Sequence, residues 1–121
     1  MEGRVKLPNG NLASVEQKKV VEYLLNREHP DNGGKAEFFI GMGFDPRDWE
    51  AFAAAIRHLA LTASVISTVE SSHGKKYIVD GPIYRSSGSE RLVRSVWIVD
   101  AGETVPRLVT AYPREEGKGD D

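Results

Sequence analysis

The chain has 121 residues, of which 40% are hydrophobic and 28% charged, and these values are typical of one globular domain that buries a single core. It contains no cysteine and three histidines, which excludes disulfides and thiolate nucleophiles and argues against a structural metal site. The formal net charge of −2 counts against a large duplex-binding surface, because proteins that bind nucleic acid non-specifically usually carry a basic footprint.

The first half of the chain carries the patterns of three helices. A capping-box pattern begins at Ser14, and apolar residues at helical spacing follow it, which predicts an amphipathic helix near residues 15–26. The stretch NGGKAEFFIGMGF predicts a short second helix, with Gly43 as its left-handed cap. An aspartate and a proline at positions 45 and 46 predict the start of a third helix. The apolar stripe of that helix consists of Trp49, Phe52, Ile56 and Leu59.

The second half of the chain changes to β-rich runs. Four such runs follow Ala63, namely SVISTVES, KKYIVDGPIY, RLVRSVWIVD and PRLVTAYP, and they are separated by turn sequences at residues 72–74, 86–89 and 101–103. Spacings this short favour hairpins, so we expect an antiparallel meander. Helices first and strands after are typical of an α+β fold, with about three N-terminal helices on one face of a four-stranded sheet. We expect one domain over residues 1–113 and a disordered charged tail over residues 114–121.

The alternation of the last two strands indicates which side chains leave the core. Successive side chains of a strand point to opposite faces, and we expect the face that holds Val96, Ile98, Val109 and Ala111 to pack on the helices. The side chains on the opposite, open face are then Ser95, Trp97, Thr110 and Tyr112. Hydroxyl groups on such a face can hold a phosphate, and aromatic rings can stack a base. The same residue types are ordinary strand formers, so a purely structural role stays open.

Basic residues in loops are further candidates for a site. His29 lies in the turn NREHPDNGGK, and Lys35 follows six residues later at the start of the predicted second helix. A histidine beside a lysine can be a general base with an anion clamp, and it can equally be a solvent-facing turn residue. The run HGKK is the most basic short segment of the chain, which makes Lys76 a candidate phosphate contact.

The common catalytic motifs are absent from the sequence. It has no Walker-type glycine loop, no dinucleotide fingerprint and no G-x-S-x-G elbow. Its longest apolar runs are only a few residues, and no charged-then-apolar leader opens the chain. We therefore expect a cytoplasmic protein that needs no metal or cofactor and does not associate with membranes.

The spaced combination of LPN, YLLNREHP, KAEFF, VRSVWIV and PRLVTAYP, from Leu7 to Pro113, resembles a bacterial family of domains of unknown function. Members of that family occur as small stand-alone proteins and as C-terminal modules of larger proteins of the polymorphic-toxin type. The order of helices and strands, with a closing TAYP, is also similar to the barnase–EndoU–colicin–RelE group of ribonuclease toxins. This second resemblance is at the level of the fold.

The resemblance to the ribonuclease toxins implies RNA cleavage without metal, through attack by a 2′-hydroxyl group. Carried over to this sequence, it implies that His29 is a general acid/base and that Lys35 stabilises the charge of the pentavalent phosphate. Arg94 or Arg107 would clamp the phosphate, although both share the predicted core phase. The orienting hydroxyls would belong to Thr110 and Ser95, and the base-stacking rings to Tyr112 or Trp97.

The sequence is consistent with two functions of different classes. The first is a metal-independent endoribonuclease toxin of a toxin–antitoxin or polymorphic-toxin system, with RNA and a cognate antitoxin or immunity protein as partners. It predicts that four side chains converge in one cleft, namely those of His29, Lys35, Arg107 and Thr110. The second is a non-catalytic protein-interaction module, in which these residues are dispersed and each has a local structural role. The sequence does not indicate the oligomeric state.

Overall fold

The computed structural model describes residues 5–84 and 90–114, and in it a short 3₁₀ turn (Gly10–Leu12) and three longer helical segments precede a four-stranded antiparallel sheet. The fold is therefore α+β, as the element order predicts. The predicted turn at residues 86–89 lies outside the described residues. So does the predicted disordered tail, apart from Arg114.

The first helical segment is short and changes its hydrogen-bonding pattern. Helix α1 (Gln17–Lys19) continues directly into a π-helical turn (Val20–Leu24), in which the N–H of Leu25 donates to the carbonyl of Val20 at 2.8 Å. The predicted helix near residues 15–26 is confirmed, but the predicted capping box at Ser14 is wrong. Ser14 instead forms a parallel bridge with Arg107, so its backbone bonds tie the N-terminal segment to the last strand.

Helices α2 (Lys35–Gly41) and α3 (Trp49–Thr62) have the predicted caps. Gly43 follows α2 with φ of 108°, and its N–H donates to the carbonyl of Ile40 at 2.8 Å, which is how a left-handed cap satisfies the last carbonyl groups of a helix. Asp45 accepts from the N–H of Arg47 at 2.8 Å and opens a 3₁₀ turn (Pro46–Asp48) that leads into α3.

The sheet is a meander in the order β1-β2-β3-β4, with β1 (Val65–Ser71), β2 (Gly74–Tyr84), β3 (Glu90–Asp100) and β4 (Arg107–Pro113). Every neighbouring pair is antiparallel. Strands β1 and β4 are thus the two edges. The predicted four-stranded antiparallel meander is confirmed.

The predicted assignment of sheet faces is wrong for β3. Ser95 and Trp97 are fully buried in the core, and Ser95 on β3 pairs with Ala111 on β4. A register shift opposite Val96 and Trp97 leaves Val109 without a partner in β3, so Leu108 and Ala111 both enter the core although they are three residues apart. Strict alternation therefore fails at this bulge.

The burial of Ser95 has a local reason. Its hydroxyl donates to the carbonyl of Val79 at 2.8 Å and accepts from the indole N–H of Trp97 at 2.9 Å. Both polar groups are satisfied inside the core, which removes the penalty for burying them. Burial of the large apolar ring of Trp97 then contributes more stabilising free energy than burial of a valine on the other face would.

The core lies between the helices and one face of the sheet. Helix α3 packs closely on β2 at Gly81. A Cβ at this position would lie only 2.9 Å from the Cβ of Ala63, the residue that follows α3. The largest fully buried side chains include Trp97, Phe39, Phe52, Leu24 and Ile56. None of the helices in the described residues is long and apolar enough to cross a membrane.

Candidate functional site

Tyr23 is the centre of a polar cluster beside the edge strand β4. Its hydroxyl oxygen lies 3.3 Å from Oγ1 of Thr110. The ring of His29 meets the ring of Tyr23 edge-on, with 5.0 Å between centroids. The ammonium groups of Lys35 and Lys19 lie 5.5 Å and 5.3 Å from the centroid of the Tyr23 ring. All five side chains are half-buried, so the cluster is sheltered and still reachable from solvent.

The sequence interpretation missed Tyr23 as a site residue. Its position next to Leu24 and Leu25, both buried, is typical of an apolar helix face. The π-helical turn places the tyrosine ring over the edge of the sheet, and π-turns are common at functional sites. The only signal for Tyr23 in the sequence is its place in the motif YLLNREHP.

Asn32 is a second residue that the sequence interpretation missed. Its side chain is only 4% exposed. Its amide donates to the carbonyl of Tyr23 at 2.6 Å, and its side-chain oxygen accepts from the N–H of Ala36 at 2.8 Å. Asn32 therefore fixes the loop that carries His29, and the start of α2 that carries Lys35, to the π-helical turn. An asparagine before a helix start is the available signal for such a role.

His29 is held in one tautomer by its own loop. The backbone N–H of Asp31 donates to Nδ1 of His29 at 3.0 Å. In the neutral ring the hydrogen is therefore on Nε2. This tautomer can donate a hydrogen bond from Nε2, but it cannot accept a proton at Nδ1 without losing the bond from Asp31.

Lys35 lies between two aromatic rings. Its ammonium group is 5.5 Å from the Tyr23 centroid and 5.9 Å from the centroid of Tyr112, and it donates to the carbonyl of Asn32 at 3.1 Å. Such cation–π contacts hold the ammonium in place without neutralising it. The charge of Lys35 thus remains available to an anion.

The cations of this cluster perturb the phenol of Tyr23. Burial raises the pKa of Tyr23, but hydrogen bonding to Thr110 and Lys35 and the charges of Lys35 and Lys19 lower it by more. The net result is a pKa below the ordinary value of a tyrosine. A phenolate at this position is stabilised by the two lysines.

The cluster lines an open groove of about 680 Å³ between the first helical segment and β4. His29, Arg107 and Thr110 share this groove with Tyr23, whereas Lys35 and Tyr112 line a smaller cleft of about 420 Å³. Lys35 joins the cluster through its contact with the Tyr23 ring. The charged residues of the groove are balanced in sign, since the acidic Glu16, Glu22 and Asp31 offset the basic Lys18, Lys19 and Arg107.

Arg107 reaches the groove, but its guanidinium is already paired. It donates to both carboxylate oxygens of Asp100, at 2.7 Å and 3.0 Å. These hydrogen bonds raise the pKa of Arg107. Arg107 would have to leave Asp100 before it could clamp another anion.

Arg94 lies on the face of the sheet opposite the core, so its predicted core phase is wrong. It donates to Asp80 at 2.8 Å and 2.9 Å, and Arg114 donates to the same carboxylate at 2.8 Å. The hydrogen bonds that Arg94 donates to Asp80, together with a contact to Tyr112, raise the pKa of Arg94. Arg94 therefore flanks the cluster through Tyr112 and does not enter the groove.

Three other predicted substrate contacts are away from the cluster. Ser95 and Trp97 are fully buried, so neither can touch a substrate as predicted. Lys76 is exposed on β2, which β3 separates from β4. Within residues 5–84 and 90–114, no group of three His, Asp or Glu side chains lies close enough to hold a metal ion.

Comparison with known proteins identifies both a structural neighbour and a family. The fold is similar to a chain of a contact-dependent growth inhibition toxin–immunity protein complex from Klebsiella pneumoniae 342, with a TM-score of 0.65 and 15% sequence identity over 83% of this chain and 98% of that chain. No curated protein matches the sequence. The family model of a domain of unknown function, DUF6883, matches residues 6–115, and the chain therefore belongs to that family.

Proposed function

We propose that this protein is a metal-independent endoribonuclease that acts on RNA in the cytoplasm, as the toxin of a toxin–antitoxin or polymorphic-toxin system. One observation carries the proposal. His29, Lys35 and Thr110 come from separate parts of the chain, and all three lie against the ring of Tyr23. A loop histidine, a helix-start lysine and a strand threonine thus meet at one half-buried ring.

The side chains of the cluster match the needs of RNA transesterification. The ammonium groups of Lys35 and Lys19 supply positive charge for the phosphorane, and the Thr110 hydroxyl orients a phosphate oxygen. Nε2–H of His29 donates to another phosphate oxygen. The exposed Arg107 would exchange Asp100 for the phosphate when RNA is bound.

The toxin part of the proposal draws on the structural neighbour. That neighbour is a chain of a complex between a toxin and its immunity protein, and fold similarity at this identity is an analogy. The analogy supports a role in a toxin system and a proteinaceous antitoxin or immunity partner. The ribonuclease activity itself is supported by the cluster.

A second candidate function is a non-catalytic interaction module, such as an immunity protein. The edge strand β1 favours it, because Ile66 and Val69 on this strand are 52% and 53% exposed. An exposed apolar edge strand can pair with a strand of another protein. The balanced charge of the groove also suits a protein partner better than RNA.

Inducible expression in a bacterial host separates the two functions. Wild-type protein is compared with a His29→Ala, Lys35→Ala double variant, and growth and the integrity of total RNA are followed. The matched control is Lys76→Ala, which removes an exposed lysine remote from the cluster. The toxin proposal predicts growth arrest and RNA degradation with wild type and Lys76→Ala but not with the double variant. Equal growth and intact RNA in all three strains would contradict it.

A further inference from the structure

We propose that Tyr23 is the group that removes the proton from the attacking 2′-hydroxyl of the RNA, a role that rests on the proposed ribonuclease function. The position of Tyr23 is the first argument. Its hydroxyl is within 3.3 Å of Thr110 Oγ1, so a phosphate oriented by Thr110 has its neighbouring ribose next to the phenol. A proton acceptor must lie within hydrogen-bond reach of the group that it deprotonates.

The geometry of His29 is the second argument. The bond from the Asp31 N–H occupies the one nitrogen of the neutral ring that can accept a proton. His29 therefore serves as a donor to the phosphate, and another group must take the 2′ proton. Three carboxylates also line the groove, those of Glu16, Glu22 and Asp31. All three carboxylate side chains are exposed, whereas the side chain of Tyr23 is half-buried.

The surroundings of Tyr23 are the third argument. Two lysine ammonium groups flank its ring, at 5.3 Å and 5.5 Å from the centroid. Burial raises the pKa of the phenol, but hydrogen bonding to Thr110 and Lys35, together with the charges of Lys35 and Lys19, lowers it by more. A base is most effective when its pKa approaches the working pH, so this shift acts in the useful direction.

The proposed step balances in protons and electron pairs. The phenolate of Tyr23 takes the proton of the 2′-hydroxyl, and O2′ forms a bond to phosphorus. The bond between phosphorus and O5′ breaks, and its electron pair stays on O5′, which takes a proton from the Lys35 ammonium. The products are a 2′,3′-cyclic phosphate and a 5′-hydroxyl. The phenol of Tyr23 then returns its proton to the neutral Lys35, which restores both groups.

The test uses purified full-length Tyr23→Phe, which keeps the ring and loses only the hydroxyl. We expect its RNA cleavage to fall by about 10²–10⁴-fold, while binding of an RNA whose 2′-hydroxyls are replaced by hydrogen is retained. Lys76→Ala is the matched control, because this exposed lysine on β2 lies away from the groove, and it should cleave at the wild-type rate. Thermal unfolding of each variant verifies that it is folded, and cleavage is compared per folded molecule should Tyr23→Phe be less stable.

A second readout concerns the phenol directly. In a titration of tyrosinate absorbance, wild type should show one tyrosine that ionises at lower pH than the rest, and Tyr23→Phe should lack it. Active wild type with equally active Tyr23→Phe overturns the role of Tyr23 and leaves the ribonuclease proposal intact. If the tyrosine ionisation at lower pH is still seen in Tyr23→Phe, the role of Tyr23 is likewise overturned and the ribonuclease proposal stays intact. Wild-type protein that leaves RNA intact overturns both proposals.

Discussion

The hydroxyl oxygen of Tyr23 lies 3.3 Å from Oγ1 of Thr110, across a separation of 87 residues in the sequence. This contact joins the π-helical turn to the edge strand β4 and fixes the floor of the groove. His29, Lys19 and Lys35 gather around the same ring. The candidate site is thus a property of the tertiary fold, and its parts can be changed one at a time.

Asn32 is expected to hold this site together. Asn32→Ala leaves the Tyr23 carbonyl and the Ala36 N–H without their partner in a buried place, so the free energy of unfolding should fall by about 1–3 kcal/mol. Urea denaturation measures this loss. Asn26→Ala is the matched control, because the hydrogen bonds of the Asn26 side chain lie at the surface. An equal loss in the two variants would show that Asn32 has no special role.

Ser95 is expected to be structural. Ser95→Ala removes the acceptor of the Trp97 indole N–H and leaves that donor buried, which should lower the free energy of unfolding by about 1–3 kcal/mol. RNA cleavage per folded molecule should not change, because Ser95 is fully buried. Ser67→Ala, on the exposed strand β1, should have no effect on stability. A folded Ser95→Ala that has lost cleavage would contradict a purely structural role for this residue.

Gly81 is expected to set the distance between β2 and α3. A methyl group there lies 2.9 Å from the Cβ of Ala63 and 3.4 Å from Leu59, so Gly81→Ala should lower the free energy of unfolding by about 1–3 kcal/mol through overpacking. Gly41→Ala is the control, because a methyl group at Gly41 meets no other atom within 4 Å. Wild-type stability of Gly81→Ala in chemical denaturation would argue against this packing.

Asp80 should make the stability of the fold depend on pH in acid. Burial raises the pKa of Asp80, but the hydrogen bonds from Arg94 and Arg114, together with their charges, lower it by more. A carboxylate whose pKa is lower in the folded state contributes stability that is full above its unfolded pKa of about 3.9 and is lost as the pH falls through the folded value.

The corresponding measurement is the free energy of unfolding as a function of pH. Wild type should lose stability below about pH 4, and Asp80→Asn should be less stable at neutral pH and show a shallower loss in acid. Identical curves for the two proteins would mean that the pairs with Arg94 and Arg114 contribute nothing.

The element order of the fold could be predicted from the sequence because its signals are local. The cap at Gly43 and the helix start at Asp45 depend on residues within a few positions of each other. The strand runs are likewise separated by recognisable turns. These features need no knowledge of distant residues.

The sheet faces could not be predicted because their signals compete. On β3 both faces are apolar, since Val93 and Trp97 alternate with Val96 and Ile98, and period-2 alternation cannot rank them. The bulge at Val109 then breaks the alternation on β4. Neither the buried face of β3 nor the bulge at Val109 can be recognised from the local sequence.

The site could be predicted only in part, for a related reason. His29, Lys35 and Thr110 are chemically conspicuous residue types, and the structure gathers them around one ring. That ring, Tyr23, has the helical spacing of a core residue. Its role follows from contacts with residues far away in the chain.

The most direct test of the proposed metal-independent ribonuclease activity is cleavage of a single-stranded RNA by purified protein in the presence of a metal chelator. The same measurement is made on an oligonucleotide of identical sequence without 2′-hydroxyl groups, and Lys35→Ala is compared with wild type. We expect wild type to cleave only the RNA and to leave 2′,3′-cyclic phosphate ends, and Lys35→Ala to be slower by about 10²–10³-fold. RNA left intact by wild type, or cleaved equally well by Lys35→Ala, would contradict it.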